Sequence, residues 1–251
     1  MRKFLLSLFM LCMLPLGWAW AQEVEEEEDY THEFTYGINF NTNGGLLGGA
    51  SIKSTHHLTG NWYQFWALEG VEVKHPKEVR YQNPYTGGSF ILGKSNSLFV
   101  LRPQYGREYT FFRKAAESGV QVNGIVSAGP SLAILAPYYI QYDYSRYNGQ
   151  GQIVGPTDVR EEQYDPAVHN PNFIVGSAGF YKGFSDPNFN IGANLRAGLS
   201  FEYGRYLESV AGIEVGAVYE VFPSELVLIP EAKNRSQFFS LYLTLFYGRR
   251  R

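Results

Sequence analysis

From Asn188 to Tyr203 the chain alternates between two kinds of residue. One parity holds Phe189, Ile191, Ala193, Leu195, Ala197, Leu199, Phe201 and Tyr203, all apolar or aromatic. The other holds Asn190, Gly192, Asn194, Arg196, Gly198, Ser200 and Glu202, all polar or glycine. Successive side chains of a strand point to opposite faces, so the stretch predicts a two-faced β-strand. At 188–203 it is nearly three times the usual strand of about 5–6 residues. A tilted strand crosses a bilayer in about 9–11 residues. A soluble core rarely accepts an arginine and a glutamate on its inner face, whereas a barrel lumen does. The stretch therefore predicts one wall of a transmembrane β-barrel.

The same period predicts seven more strands, at 34–41, 46–54, 61–74, 97–112, 119–139, 208–222 and 238–247. The third is the least regular: Trp62, Trp66 and Leu68 fall on one parity, and Tyr63, Phe65, Val71 and Val73 on the other. A bulge near Glu69-Gly70 would reconcile them, because one extra residue exchanges the faces. Pro130 suggests a kink in the fifth strand. The connections after the second, fourth and sixth strands are short, and those after the third, fifth and seventh are longer. Only the first hairpin, at Asn43-Gly44-Gly45, breaks that alternation. Outer-membrane barrels have short periplasmic turns and longer extracellular loops, which puts both chain ends on the periplasmic side. The fifth connection, about 140–187, is expected to be one long extracellular loop without regular structure, a kind that is often functional.

Arg2 and Lys3, an apolar run to Trp18, and Ala19-Trp20-Ala21 read as a secretory signal peptide over 1–21. Removing it takes away Cys12 with Arg2 and Lys3 and no acid, leaving 19 basic against 24 acidic residues, a net −5, and no cysteine. That balance argues against a nucleic-acid partner. Residues 22–33, with EVEEEED at their centre, read as an acidic disordered lead-in. Residues 34–248 are the expected barrel, and 249–251, all arginine, a basic C-terminal tail. Aromatic residues make up 16% of the chain, a load that suits interfacial girdles.

Through its strand pattern over Phe34 to Tyr247 and its aromatic last strand, FFSLYLTLFYG, the chain resembles the small eight-stranded outer-membrane β-barrels of Gram-negative bacteria. These are the OmpA-transmembrane and OmpX type and the porin-like barrels of Bacteroidetes. The resemblance implies an all-β antiparallel up-and-down barrel in the cell outer membrane, in contact with its lipid and lipopolysaccharide. Fold alone does not carry function in this group.

An eight-stranded barrel is just wide enough for its side chains to fill it. Lys53, Arg102, Glu108, Arg196, Glu202, Glu214 and Glu220 are expected to point inward as a polar, ion-paired plug rather than an ion path. Arg196 and Glu214 are expected to pair, with a turn centred on Arg205 setting them directly opposite each other and Glu202 opposite Glu208. Asn194 is expected to tolerate arginine better than Leu195.

In the long loop, Tyr142, Tyr144, Tyr147, Tyr164, Phe173, Phe180, Tyr181 and Phe184 offer contact area for a protein partner, or else pack the loop on itself. His32, His56, His57, His75 and His169 form no triad spacing with Ser127 or Ser131, and the loop acids lack a calcium-loop pattern, so no catalytic residue, metal or cofactor is expected. The leading expectation is a non-enzymatic structural or interaction subunit, for instance an accessory component of an outer-membrane secretion or assembly complex. A lipid A-modifying enzyme and a soluble lipocalin-like protein stand as alternatives.

Overall fold

The computed structural model describes residues 31–114, 119–146, 148–203 and 209–251. The signal peptide and most of the acidic lead-in lie outside the described residues. Eight long strands build the wall: β1 His32–Asn41, β2 Gly45–Thr59, β3 Trp62–Val73, β4 Asn96–Phe112, β5 Val120–Pro137, β6 Asn188–Tyr203, β7 Ser209–Leu226 and β8 Arg235–Arg250. Each pairs antiparallel with its neighbours in chain order, and β1 pairs β8, closing an up-and-down barrel. Closure leaves no strand edge with unpaired backbone groups.

The two parities separate as the alternation dictates. Outward positions such as Tyr36, Trp66, Leu195, Leu199, Phe239 and Leu241 are exposed, whereas inward Glu69, Arg102, Gln104, Ser131, Glu202 and Glu220 are buried. Aromatic rings gather on the outside towards both ends. Trp62, Tyr109 and Phe111 stack near the short turns, and Phe99 and Phe184 meet at the loop end.

Several boundaries and the bulge of the third strand differ from the sequence reading, and the expected turn after Ser54 is strand, since β2 runs through His56 and His57 to Thr59. β1 begins at His32 and β8 runs to Arg250, so Glu33, expected in the lead-in, and Arg249 and Arg250, expected in the tail, belong to the wall. β7 extends to Leu226. β3 has no bulge, since its pairing with β4 is continuous from Trp62↔Tyr109 to Val73↔Leu98. Its odd parity faces inward throughout and is aromatic or aliphatic at both ends, with Glu69 between, and this obscured the alternation.

β5 is continuous through Pro130. Leu101↔Leu132 and Tyr105↔Ala128 share one register, which sets Pro103 opposite Pro130. Neither proline has an N–H to give, so the ladder lapses between Leu101↔Leu132 and Tyr105↔Ala128 with the register kept. On the other side, the Asn194 side chain donates to the Gly129 and Pro130 carbonyls at 3.1 and 3.0 Å.

The long loop is not structureless. Residues 139–143, 159–163 and 174–177 form a three-stranded sheet with 139–143 in the middle, with 3-10 turns at Pro171–Phe173, just before its last strand, and at Phe180–Ser185, after it. The third connection adds a hairpin of 80–82 and 89–91. Together they make a cap over the loop end, with Phe90, Ile140, Tyr142, Tyr164 and Ile174 as its core. Strands of four or five residues carry too few periods for alternation to show.

Candidate functional site

The lumen is layered. At the loop end Val71, Val73, Leu98, Val100, Leu135, Phe222, Leu226 and Leu228 form an apolar stopper. Below it a chain of ion pairs crosses the barrel. Glu220 accepts from Arg102 Nε and Nη2 at 3.0 and 2.8 Å, and also from Ser131. Arg102 Nη1 donates to Glu69 at 3.1 Å. The other oxygen of Glu69 accepts from Arg196 Nη1 at 3.0 Å and Asn39 Nδ2 at 2.7 Å. Arg196 Nε and Nη2 then reach Glu214 at 3.1 and 2.8 Å. Towards the short turns, Lys53 pairs with Glu108 at 3.0 Å, Lys114 with Glu202 at 3.0 Å, and Arg250 with Glu33 at 2.7 Å and with Glu202. A buried charge is tolerated when it is paired, and each of these has an opposite charge within ion-pair distance. A gap of about 30 Å³ lies between Lys53, Glu69, Arg196 and Glu214.

All seven charged residues singled out from sequence thus point inward and are ion-paired. Arg196 and Glu214 are partners, but not by the expected register. Arg196 lies opposite Val218, Glu214 opposite Ser200, and Glu202 opposite Gly212 rather than Glu208. The pair therefore bridges four residues along β7, roughly 13 Å of strand. Glycine opens the way. Gly198 lies opposite Gly216, which lies opposite Tyr242, and a Cβ at either glycine would strike the Tyr242 hydroxyl. Over that bare floor the Arg196 guanidinium stacks 3.8 Å from the Tyr242 ring, and Tyr242 donates to Glu214 at 2.7 Å.

Sequence reasoning missed Glu33, Glu69, Lys114, Tyr242 and Arg250. Glu69 sat among aromatic neighbours on its parity, and Arg250 sat in a run of three arginines. Tyr242 falls on the inward parity with Ser240, Thr244 and Phe246, and was passed over because only charged residues were counted into the lumen network. Asn194, expected to tolerate arginine, is buried and also accepts from Gln104 at 3.0 Å and donates to Ser131 at 3.0 Å, so that expectation is withdrawn.

The cap sorts the loop aromatics. Tyr142 and Tyr164 are buried, and each hydroxyl accepts a backbone N–H, from Asn170 at 3.3 Å and from Gly93 at 3.5 Å. Burial pushes the Tyr164 hydroxyl above its ordinary range, and does the same to Tyr138. Tyr144 lies over Arg160 and is also pushed up, first by its hydrogen bond with Glu162. Phe173 packs edge-on to Tyr142. Phe180 and Tyr181 are about 70% exposed, and Phe184 stacks on the outward-facing Phe99 at 5.1 Å. Tyr147 lies outside the described residues. Asn83, fully buried, staples the hairpin to the sheet by donating to the Ile174 and Asn172 carbonyls at 2.7 and 3.1 Å. His75 bonds the Lys233 carbonyl through Nε2 and accepts from Lys77 N–H through Nδ1. It thus joins two rim loops.

The class defined by this geometry is a closed eight-stranded antiparallel barrel with an ion-paired interior and a folded cap. No family model and no curated protein matches the sequence. Among solved structures, Ail, the attachment invasion locus protein of Yersinia pestis, is 10% identical, with 89% of this chain and 99% of that one covered and a TM-score of 0.39. Its complex with the heparin analogue sucrose octasulfate gives 11%, 88%, 97% and 0.37. Neisserial surface protein A gives 12%, 87%, 94% and 0.33. At such scores the barrel rests on its own hydrogen-bond register, and nothing about ligands transfers.

Proposed function

We propose that this chain is a non-enzymatic integral outer-membrane barrel, its ends on the periplasmic side, that presents its cap as an interaction surface. The carrying observation is one wall with two opposite faces: an apolar, aromatic-edged exterior around a lumen filled by paired charges. Water would leave that exterior as one continuous exposed apolar surface, far beyond what soluble monomers carry, whereas a bilayer covers it. An ion-paired plug below an apolar stopper suits a scaffold better than a pore. The exposed Val79, Tyr85 and Val168 on the cap give a protein partner somewhere to bind, as an accessory subunit of a secretion or assembly complex would require.

The test combines three readouts. Outer-membrane fractions should hold the protein in a heat-modifiable form, and planar bilayers should show no steady conductance of porin size. A photo-crosslinker placed at Tyr85 or Val168 should capture an outer-membrane protein on intact cells. Recovery as a soluble periplasmic species, or frequent large channel openings, would overturn the reading.

A further inference from the structure

The wall carries a dent, and a basic pocket lies on the rim above it. Register lines up Leu245, Ile38, Ala50, Gly70 and Leu101 across β8, β1, β2, β3 and β4. The large side chains stand at the ends of this row and the two small residues at its centre. With Tyr36, Ile52, Leu68 and Tyr247 in the next row, they enclose an outward apolar groove of about 600 Å³. Gly70 is open enough that an added Cβ would meet only Leu101, at 3.4 Å.

Above this groove the β1–β2 hairpin is the tight one, and the rim is low. Asn43 bonds the Phe239 carbonyl at 3.1 Å and its own carbonyl accepts from Lys74 at 2.7 Å, so the turn sits well below the start of β8 at Arg235. In the notch lies a small pocket of about 30 Å³, with Asn43, Lys74, His75, Pro76 and Arg235 at its rim, Phe239 on its outer side, and Phe238, Leu226 and Leu228 of the apolar stopper as its floor. His75 holds the two flanking loops together, as described, and leaves Lys74 and Arg235 as the exposed cations. Glu72 is paired with Lys74 at 3.4 Å, and Arg235 has no carboxylate partner among the described residues.

From Phe239 to Leu245 is roughly 20 Å along the strand, a span that an acyl chain can cover. We infer that this face binds one phosphorylated, acylated lipid of the surrounding leaflet, with its phosphate at Lys74 and Arg235 and a chain in the groove over Ala50 and Gly70. The inference rests on the membrane-barrel reading. A phosphate needs mobile cations at a wet rim, and an acyl chain needs a depression among large side chains; here the two are stacked on the same strands.

The experiment is native mass spectrometry of the full chain, released from nanodiscs that contain diphosphoryl lipid A and phosphatidylethanolamine. The wild type should retain one lipid A after phosphatidylethanolamine is stripped. The double variant Lys74→Glu, Arg235→Glu should retain it roughly tenfold less, since like charge meets phosphate. Gly70→Leu, which fills the dent, should lower retention while both rim cations stay in place. Equal retention by all three proteins overturns the site. Loss in the charge variant alone also overturns it, because it shows a diffuse rim charge without a chain-binding groove. Heat-modifiability of each variant is scored in parallel. A wild type that never inserts sinks the barrel reading itself, and this inference with it.

Discussion

The lumen and the cap are both cores, and they are built from opposite materials. The lumen is filled with guanidinium and carboxylate groups held by fixed hydrogen bonds, among them Glu69 between Arg102 and Arg196. The cap is filled with Phe90, Ile140, Tyr142, Tyr164 and Ile174. The wall explains the difference. Below the apolar stopper the wall turns polar and charged side chains inward, and these must be satisfied by polar partners across the narrow lumen. The cap's short strands have no apolar solvent to meet, and they fold as soluble sheets do, by hiding rings.

The largest effect should therefore come from unpairing the lumen. Glu69→Ala strips Arg102 and Arg196 of their shared carboxylate and should cost about 3–5 kcal/mol in urea unfolding from bilayers. In an Arg196→Ala, Glu214→Ala cycle the double variant should lose less than the sum of the singles, by about 0.5–3 kcal/mol. Strict additivity would mean that the pair seen across Gly198 and Gly216 does not act as a unit. Next comes the exterior. Leu195→Arg should cost about 2–4 kcal/mol in bilayers if that face meets lipid. Val168→Arg on the exposed cap should stay within about 0.5 kcal/mol. Equal costs at the two positions would erase the distinction between wall and cap.

Cap changes should be smaller and local. Asn83→Ala leaves buried carbonyls unpaired and should loosen the cap by about 1–3 kcal/mol, read as faster proteolysis between 140 and 187 with the barrel still heat-modifiable. Concerted loss of the barrel would show that cap and wall unfold together. The mildest probe is alkali. The Tyr138 and Tyr164 hydroxyls are raised by burial, so the folded cap keeps protons that the unfolded chain releases at about pH 10. Their contribution is whole below that pH and falls as pH rises through the folded values. Tyrosinate absorbance and cap proteolysis should therefore rise together while the barrel persists.

What was legible in the sequence follows from the same contrast. β6 has the bounds its alternation predicts, 188–203, because every inward residue is polar or glycine and every outward one apolar. β3 was obscured because its lumen face includes Tyr63 and Phe65, and Phe65 lies opposite a glycine on the neighbouring strand: a Cβ at Gly106 would strike the Phe65 ring. Whether an inward position is large or absent depends on what faces it across the barrel, and a linear pattern does not hold that information. The Arg196–Glu214 pair was legible as chemistry, through parity, but not as register, because the bare floor that lets it reach lies on three strands. The cap was illegible for a different reason: its pieces come from two connections and meet through contacts distant in sequence, Asn83, the hydrogen bond from Gly93 to Tyr164 and the ring packing around Phe90 among them.

Arg250 clamps the seam that closes the barrel. β1 and β8 are the first and last of the described wall strands, and their pairing removes the two edges that would otherwise be open to foreign strands. The entropic toll of joining ends so far apart grows only logarithmically with the intervening length, so a few strong contacts at the seam weigh heavily against it. Arg250 supplies them by gripping Glu33 across the seam on β1 and Glu202 on β6.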